Sequence, residues 1–353
     1  MEDFKSDNDT LMTFVTTIFV LGYASGPIVI APMSEMYGRT IMYQVCAVFF
    51  LIFNIACAVA NSLGSLVVYR FLAGVAGSCP VTLGPGSVAD MVPEERRAGA
   101  MGAYVVGVLF GSSLGPIIGG YLAPVLGWRW GFWVMAIITA PVLLLVLFLP
   151  ETYSYVLLQR KANKLRKATG NMHLNSILDT GRTPKELFAF SIIRPLKMLL
   201  LPIVFLQSLY VAIVYSYLYI MFTTFPIVFG DQYNFGSGPS GLATLGIAVG
   251  SVIGSGACGA VMDRLSNYLA AKHGGDRKPE YRLPVMTIGG LLVPAGLFMY
   301  AWTAENKTHW IAPIIGSGIL ACGLNIVFVS FPTTQSGTIQ LIILRWLPQC
   351  TWS

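Results

Sequence analysis

The residues with the most chemical potential in this chain are charges set inside or at the ends of apolar runs. Arg70 stands in VVYRFLAGVAGS, with apolar residues on both sides. An arginine so placed costs several kcal/mol unless it faces protein, water or the bilayer surface. Two readings are open: a side chain that snorkels from the outer end of its helix, or a cation in a central cavity that biases a proton or substrate step. Glu35 and Arg39, four residues apart in SEMYGRT, are expected at the inner end of one helix, where they could pair. Asp90 falls at the inner end of another run, and Asp263 with Arg264, in AVMDRL, at the inner end of a later one. Glu35, Arg39 and Asp90 either anchor helix ends at the interface or latch one conformation. No acidic residue lies at mid-membrane in the assigned runs, so no proton carrier is evident.

A second group is aromatic. In QSLYVAIVYSYLYIMFTTFP, residues 207–226, helical spacing puts Gln207, Tyr210 and Tyr217 on one face and Tyr215, Tyr219 and Phe222 on another. The first face either lines a cavity or is ordinary helix packing. A cavity of that kind suits lipophilic or cationic compounds, through apolar contact and cation–π attraction, with Gln207 adding a polar contact. Enzyme chemistry finds no footing: there is no nucleophile–base set, metal cluster or phosphate loop. The three histidines are scattered, and five of the six cysteines (all but Cys350) sit in apolar helices at no metal spacing, as small buried hydrophobes. No cofactor or metal is implied. No repeated filter-like segment appears, which favours a carrier over a channel.

The elements that must position these side chains follow from composition. Of 353 residues, 55% are hydrophobic and 11% charged, where a soluble domain runs near a quarter charged. The chain reads as a polytopic, all-α membrane protein. Nine apolar runs are long enough to span: about 11–33, 41–61, 65–89, 98–123, 129–149, 199–228, 240–262, 283–302 and 309–331. The net charge of +6 could suggest nucleic acid, but the basic residues lie between apolar runs and read as topology signals. With SEMYGRT inside, eighteen of the 22 Lys and Arg fall on the inner side and three (Lys5, Arg129 and Lys307) on the outer. A basic stretch at about 150–197 includes LLQRKANKLRKATGN, which suits a short amphipathic helix along the membrane surface. The start, MEDFKSDNDT, is polar and acidic rather than a signal peptide. Nine spans put the termini on opposite sides, and SGTIQLIILRWLPQCTWS holds a run too short to span, so both ends read as cut.

Small residues recur at helical spacing. Gly107, Gly111, Gly115 and Gly119, with Pro116, form a smooth stripe. Gly246, Gly250 and Gly254 repeat it, as do Gly22 and Gly26. A single stripe is compatible with generic helix packing. Three together suggest helices that meet at one interface and slide there.

APMSEMYGRT, RFLAGVAGS, GSSLGPIIGG, VADMVPEERRAGAMG, GWRWGFW and PETY together resemble fungal members of the major facilitator superfamily, in the twelve-helix drug:proton antiporter branch. Gly38 and Arg39 match the signature between the second and third helices; Glu35 replaces the usual aspartate, and Thr40 stands where a second basic residue is common. Arg70, Gly74 and Gly77 match the fourth-helix motif. Gly111, Gly115, Pro116, Gly119 and Gly120 match the antiporter motif of the fifth. The likeness reaches to about residue 335. It implies a major facilitator fold in which the nine spans stand for helices two to ten. An amino-terminal bundle, 1–149, and a carboxy-terminal bundle, 198–353, flank a cytoplasmic linker, 150–197. The implied activity is proton-coupled export of small organic compounds by alternating access, through a monomer in the plasma membrane, with protons, substrate and lipid as partners and no nucleic acid. A polyamine exporter of the same fold, or a truncated non-transporting product, is the alternative. The resemblance assigns Arg70 to proton coupling and Glu35, Gly38, Arg39 and Asp90 to a latch. The antiporter-motif residues would form a moving, leak-sealing contact, and Gln207, Tyr210 and Tyr217 would line the substrate cavity.

Overall fold

The computed structural model describes the backbone of residues 9–171, 174, 176–177, 192–193, 197–272 and 283–346, and the side chains of most of them. Twelve α-helices occur there: α1 Asp9–Tyr37, α2 Arg39–Ala58, α3 Leu63–Gly77, α4 Cys79–Met91, α5 Glu94–Leu126, α6 Arg129–Leu147, α7 Ser154–Thr169, α8 Pro202–Ile227, α9 Ser237–Ala243, α10 Leu245–Lys272, α11 Leu283–Glu305 and α12 Ile311–Trp346. No strand occurs among the described residues. Nine segments there are long and apolar enough to cross a membrane, and they coincide with the nine runs read from the sequence. Three details differ. The third span is two helices, α3 and α4, joined at Ser78, with Pro80 in the first turn of α4, where a missing N–H costs nothing. The sixth ends in a π-turn, Val228–Gln232, just after Pro226. α12 runs on to Trp346 rather than stopping near 331.

Apolar side chains on the spans face outward. Val125 is 80% exposed, and Leu145 and Phe298 73% each, which only an apolar solvent tolerates along several helices at once. Helices suit such a solvent, because hydrocarbon offers the backbone no hydrogen-bond partner and a helix pairs most of its groups internally.

The chain divides into two compact units: 1–97 with 122–198, and 98–121 with 199–353. In the first unit, α1 and α3 meet backbone to backbone. A Cβ added at Gly22 would strike the carbonyl of Phe71, and one at Gly74 the carbonyl of Phe19. Gly26 presses likewise on Ser78 and Val75. Ile30, Met42, Cys46, Cys79 and Leu83 close a core between α1, α2 and α4.

In the second unit, Met221, Phe225, Phe229, Val293 and Leu320 bury α8 against α11 and α12. Gly246, Gly250 and Gly254 of α10 lie on Ile314, Gly318 and Cys322 of α12. Asn325, fully buried, ties this pair: its Nδ2 donates to the Ser251 carbonyl at 3.0 Å, and Ser255 Oγ donates to its Oδ1 at 3.0 Å. The stripes of α1 and α10 are therefore filled inside their own units, by α3 and α12.

Candidate functional site

The charges near the α1–α2 turn converge. α1 ends at Tyr37, and Gly38 takes φ +104°, a conformation that L side chains rarely adopt. Arg39 then opens α2. Glu35 and Arg39 thus lie on two helices, not one, and the expected i, i+4 pairing along a single helix does not apply. Arg39 pairs instead with Asp90 of α4, its Nε 2.6 Å from Oδ2, with side chains only 16% and 22% exposed. The contact is an ion pair by distance; the Nε–H is not aligned on the oxygen. The guanidinium lies in a slot. A Cβ at Gly86, one turn before Asp90, would strike it, and the Tyr153 ring covers it at 5.2 Å.

Glu151 completes the cluster. Its Oε1 accepts the backbone N–H groups of Arg39 at 3.0 Å, Thr152 at 3.1 Å and Tyr153 at 3.0 Å, and its Oε2 that of Thr40 at 3.3 Å. Thr40 Oγ1 donates to the Pro150 carbonyl at 2.9 Å. The first N–H groups of a helix have no partner within it, and the helix dipole there favours an anion. Gly38 has no side chain to cap them, so the segment after α6 supplies the cap. A side chain at Gly38 would strike the Glu151 carboxylate. Burial, together with the negative charge of Glu35, holds the Tyr153 phenol above its usual range.

Arg70 is held quite differently. Its guanidinium sits 4.6 Å over the Phe132 ring of α6 and 5.9 Å from that of Phe19 on α1, and its buried Nε–H has no hydrogen-bond acceptor. Among the described residues, aromatic faces rather than carboxylates hold this cation.

The antiporter-motif residues divide between two faces of α5. At about 100° per residue, Ser113, Pro116 and Gly120 lie on one side. They pack on α9 and its junction with α10: Gly120 abuts the Ser237 carbonyl, a Cβ at Gly241 would come within 2.6 Å of the Pro116 carbonyl, and Thr244 Oγ1 donates to the Ser113 carbonyl at 3.2 Å. Gly111, Gly115 and Gly119 point the opposite way. Among the described residues, nothing lies within 4 Å of a Cβ added at any of them, or at Gly107.

On α8, Gln207 Oε1 is buried without a hydrogen-bond partner among the described residues. The Tyr210 hydroxyl presses on Gly290 of α11, and Tyr217 packs against the core of its unit. Farther along, Phe225 stacks on Tyr300 at 5.6 Å, and Phe229 meets Tyr233 and Phe235 at 5.6 and 5.7 Å. The Asp263 side chain lies outside the described residues.

The sequence model of the Major Facilitator Superfamily matches residues 1–343. The chain belongs to that superfamily. It is 54% identical over 335 residues to the MFS-type transporter penM of Penicillium rubens, covering 94% of this chain and 66% of that one. It is 42% identical over 334 residues to the efflux pump radE of Floropilus chiversii, covering 94% and 62%. The chain thus spans about two thirds of the length of the curated relatives it matches. Among solved structures, the proton:xylose symporter XylE bound to 6-bromo-6-deoxy-D-glucose superposes with a TM-score of 0.67 at 17% identity, over 92% of this chain and 71% of that one. The human organic anion transporter MFSD10 gives 0.57 at 19%, over 92% and 72%. These likenesses show the major facilitator fold.

Within this superfamily member, sequence reasoning missed two residues of the cluster. Glu151 was visible only as part of PETY, a carboxylate after a proline just beyond an apolar run. Gly86 carried a signal in its i, i+4 relation to Asp90, which places both on one face of α4. The aromatic partners of Arg70 had no such signal, because Phe19 and Phe132 lie 51 and 62 residues away from it.

Proposed function

We propose that this protein is a proton-driven exporter of small organic compounds, working by alternating access as a monomer in the plasma membrane. The observation that carries the reading is the family match across 1–343, joined to relatives that bear the names of transporters and of an efflux pump. Arg70 serves proton coupling: a cation held on aromatic faces keeps its field, which a carboxylate partner would cancel. Glu35, Gly38, Arg39 and Asp90 form the latch, with Glu151 tying it to the segment after α6. Gly111, Gly115 and Gly119 offer a smooth face to a moving neighbour, and Pro116 and Gly120 fix α5 on α9. Gln207, Tyr210 and Tyr217 line the substrate path, and Gln207 Oε1 is the acceptor that a substrate donor would meet. The two bundles are residues 1–149 and 198–353, with 150–197 as the cytoplasmic linker.

The test is flux in proteoliposomes. An outward proton gradient, with the lumen acidic, should drive accumulation of apolar organic compounds from a broad panel, and a protonophore should abolish it. Flux of spermine alone would move the reading to a polyamine exporter. Absence of gradient-driven flux across the whole panel would sink it.

A further inference from the structure

Helix α7 has an inward and an outward face. Val156 and Ala162 are buried, and Arg166 is occupied, its Nε donating to the Leu174 carbonyl at 2.6 Å and its Nη1 to Asn163 Oδ1 at 3.2 Å. On the other side, Leu157, Leu158 and Leu165 are 44%, 39% and 44% exposed, and Arg160, Lys161, Lys164 and Lys167 are exposed with them. At about 100° per residue, Leu158 and Leu165 stack two turns apart with Lys161 beside them, and Leu157, Lys164 and Arg160 continue around the flank. The helix, SYVLLQRKANKLRKAT, contains no acidic residue. Bare leucines among cations that have no ion-pair partner among the described residues suit neither water nor a protein core. They suit the boundary where acyl chains meet negative headgroups.

The level of α7 is fixed as well. Six residues separate it from the end of the span α6, and within them Pro150 and Glu151 are bonded to the first turn of α2. Gln44 Nε2 adds a bond to the Leu147 carbonyl at 3.3 Å. α7 therefore starts beside the ends of two spans, at headgroup depth. Its sequence lies on the side to which Lys and Arg are biased.

We propose that the outward face of α7 is a docking surface for anionic phospholipid of that leaflet, with the leucines entering the acyl boundary and Arg160, Lys161, Lys164 and Lys167 pairing with lipid phosphates. The proposal rests on the fold and on the anchoring of α7, and stands apart from the transport reading.

The full chain tests it by native mass spectrometry with phosphatidylserine and phosphatidylcholine, and by hydrogen exchange in nanodiscs of either lipid. Each lysine neutralised should weaken phosphatidylserine binding about fivefold. The double variant Lys161→Gln/Lys164→Gln should lose about 25-fold with phosphatidylcholine binding unchanged. Both side chains are exposed, so an unchanged melting temperature confirms the fold. Amides of α7 should be protected in phosphatidylserine discs, less so in phosphatidylcholine, and the difference should vanish at high salt. Equal protection in both lipids would mean that the leucines dock on protein, and it would overturn the proposal. So would phosphatidylserine binding that the double variant leaves intact.

Discussion

Two arginines of the same unit are held in opposite ways. Arg39 lies against a carboxylate, in a slot closed by Gly86 and Tyr153, at a turn that Glu151 fastens through two backbone N–H groups of α2 while holding two of its own segment. Arg70 lies on aromatic rings with its Nε–H unbonded. The first arrangement neutralises charge and fixes geometry. The second fixes position and, among the described residues, sets no carboxylate against the charge. A cation–π contact yields about 2 kcal/mol when desolvated, less than an arginine within an apolar span costs, so half-buried Arg70 is a cost to the fold. The proposed coupling role would account for such a cost, whereas the Arg39 cluster stabilises the fold directly.

The sharpest break of this comparison is Arg70→Gln. It should abolish gradient-driven flux while leaving the melting temperature unchanged or higher, because a half-buried cation with no carboxylate partner among the described residues is removed. Arg70→Lys keeps the charge but not the planar face over Phe132, and should give intermediate flux. Full flux in Arg70→Gln would strip this residue of its coupling role.

The opposite pattern is expected at Asp90. Asp90→Asn leaves Arg39 partly buried without its counter-charge. The pair is neither surface nor core, so the cost falls between those limits, about 1–3 kcal/mol. It should appear as a lower melting temperature in detergent. The double variant Arg39→Gln/Asp90→Asn should recover part of that loss, since the orphaned charge goes with its partner. A double variant as unstable as the sum of the singles would show that the two residues act independently. Glu151→Gln comes next. The amide still accepts one N–H, but the charge at the start of α2 is gone, for about 1 kcal/mol.

How much of this was legible beforehand follows from the range of each interaction. The nine spans were readable because length and apolarity are local and the bilayer sets the threshold. The turn at Gly38 was not. SEMYGRT looks helical by spacing, and only the positive φ, forced where the chain reverses from α1 into α2, separates Glu35 from Arg39. The stripes of α1 and α10 were correct as small-residue faces, but spacing cannot name the partner. Gly22 found Gly74's helix and Gly250 found Gly318, both in their own units. Gln207 and the tyrosines of α8 share a face as the spacing requires, but periodicity could not name what they touch there: Tyr210 meets Gly290, and Tyr217 packs beside the core.

The smallest expected change in stability carries the finest comparison, between two glycines of one helix. Gly120 touches the Ser237 backbone, so a methyl group there must push α5 and α9 apart. Gly115 has no neighbour within 4 Å of an added Cβ among the described residues. Gly115→Ala removes only the entropic weakness of glycine in a helix, and should raise stability by up to about 1 kcal/mol. If the open stripe is a face against which a neighbour must slide, this stabilised variant should still transport more slowly, and Gly115→Val more slowly again. A stabilised Gly115→Ala with undiminished flux would leave the stripe as simple lipid-facing surface, and would restrict the working part of the motif to Pro116 and Gly120 on the packed face.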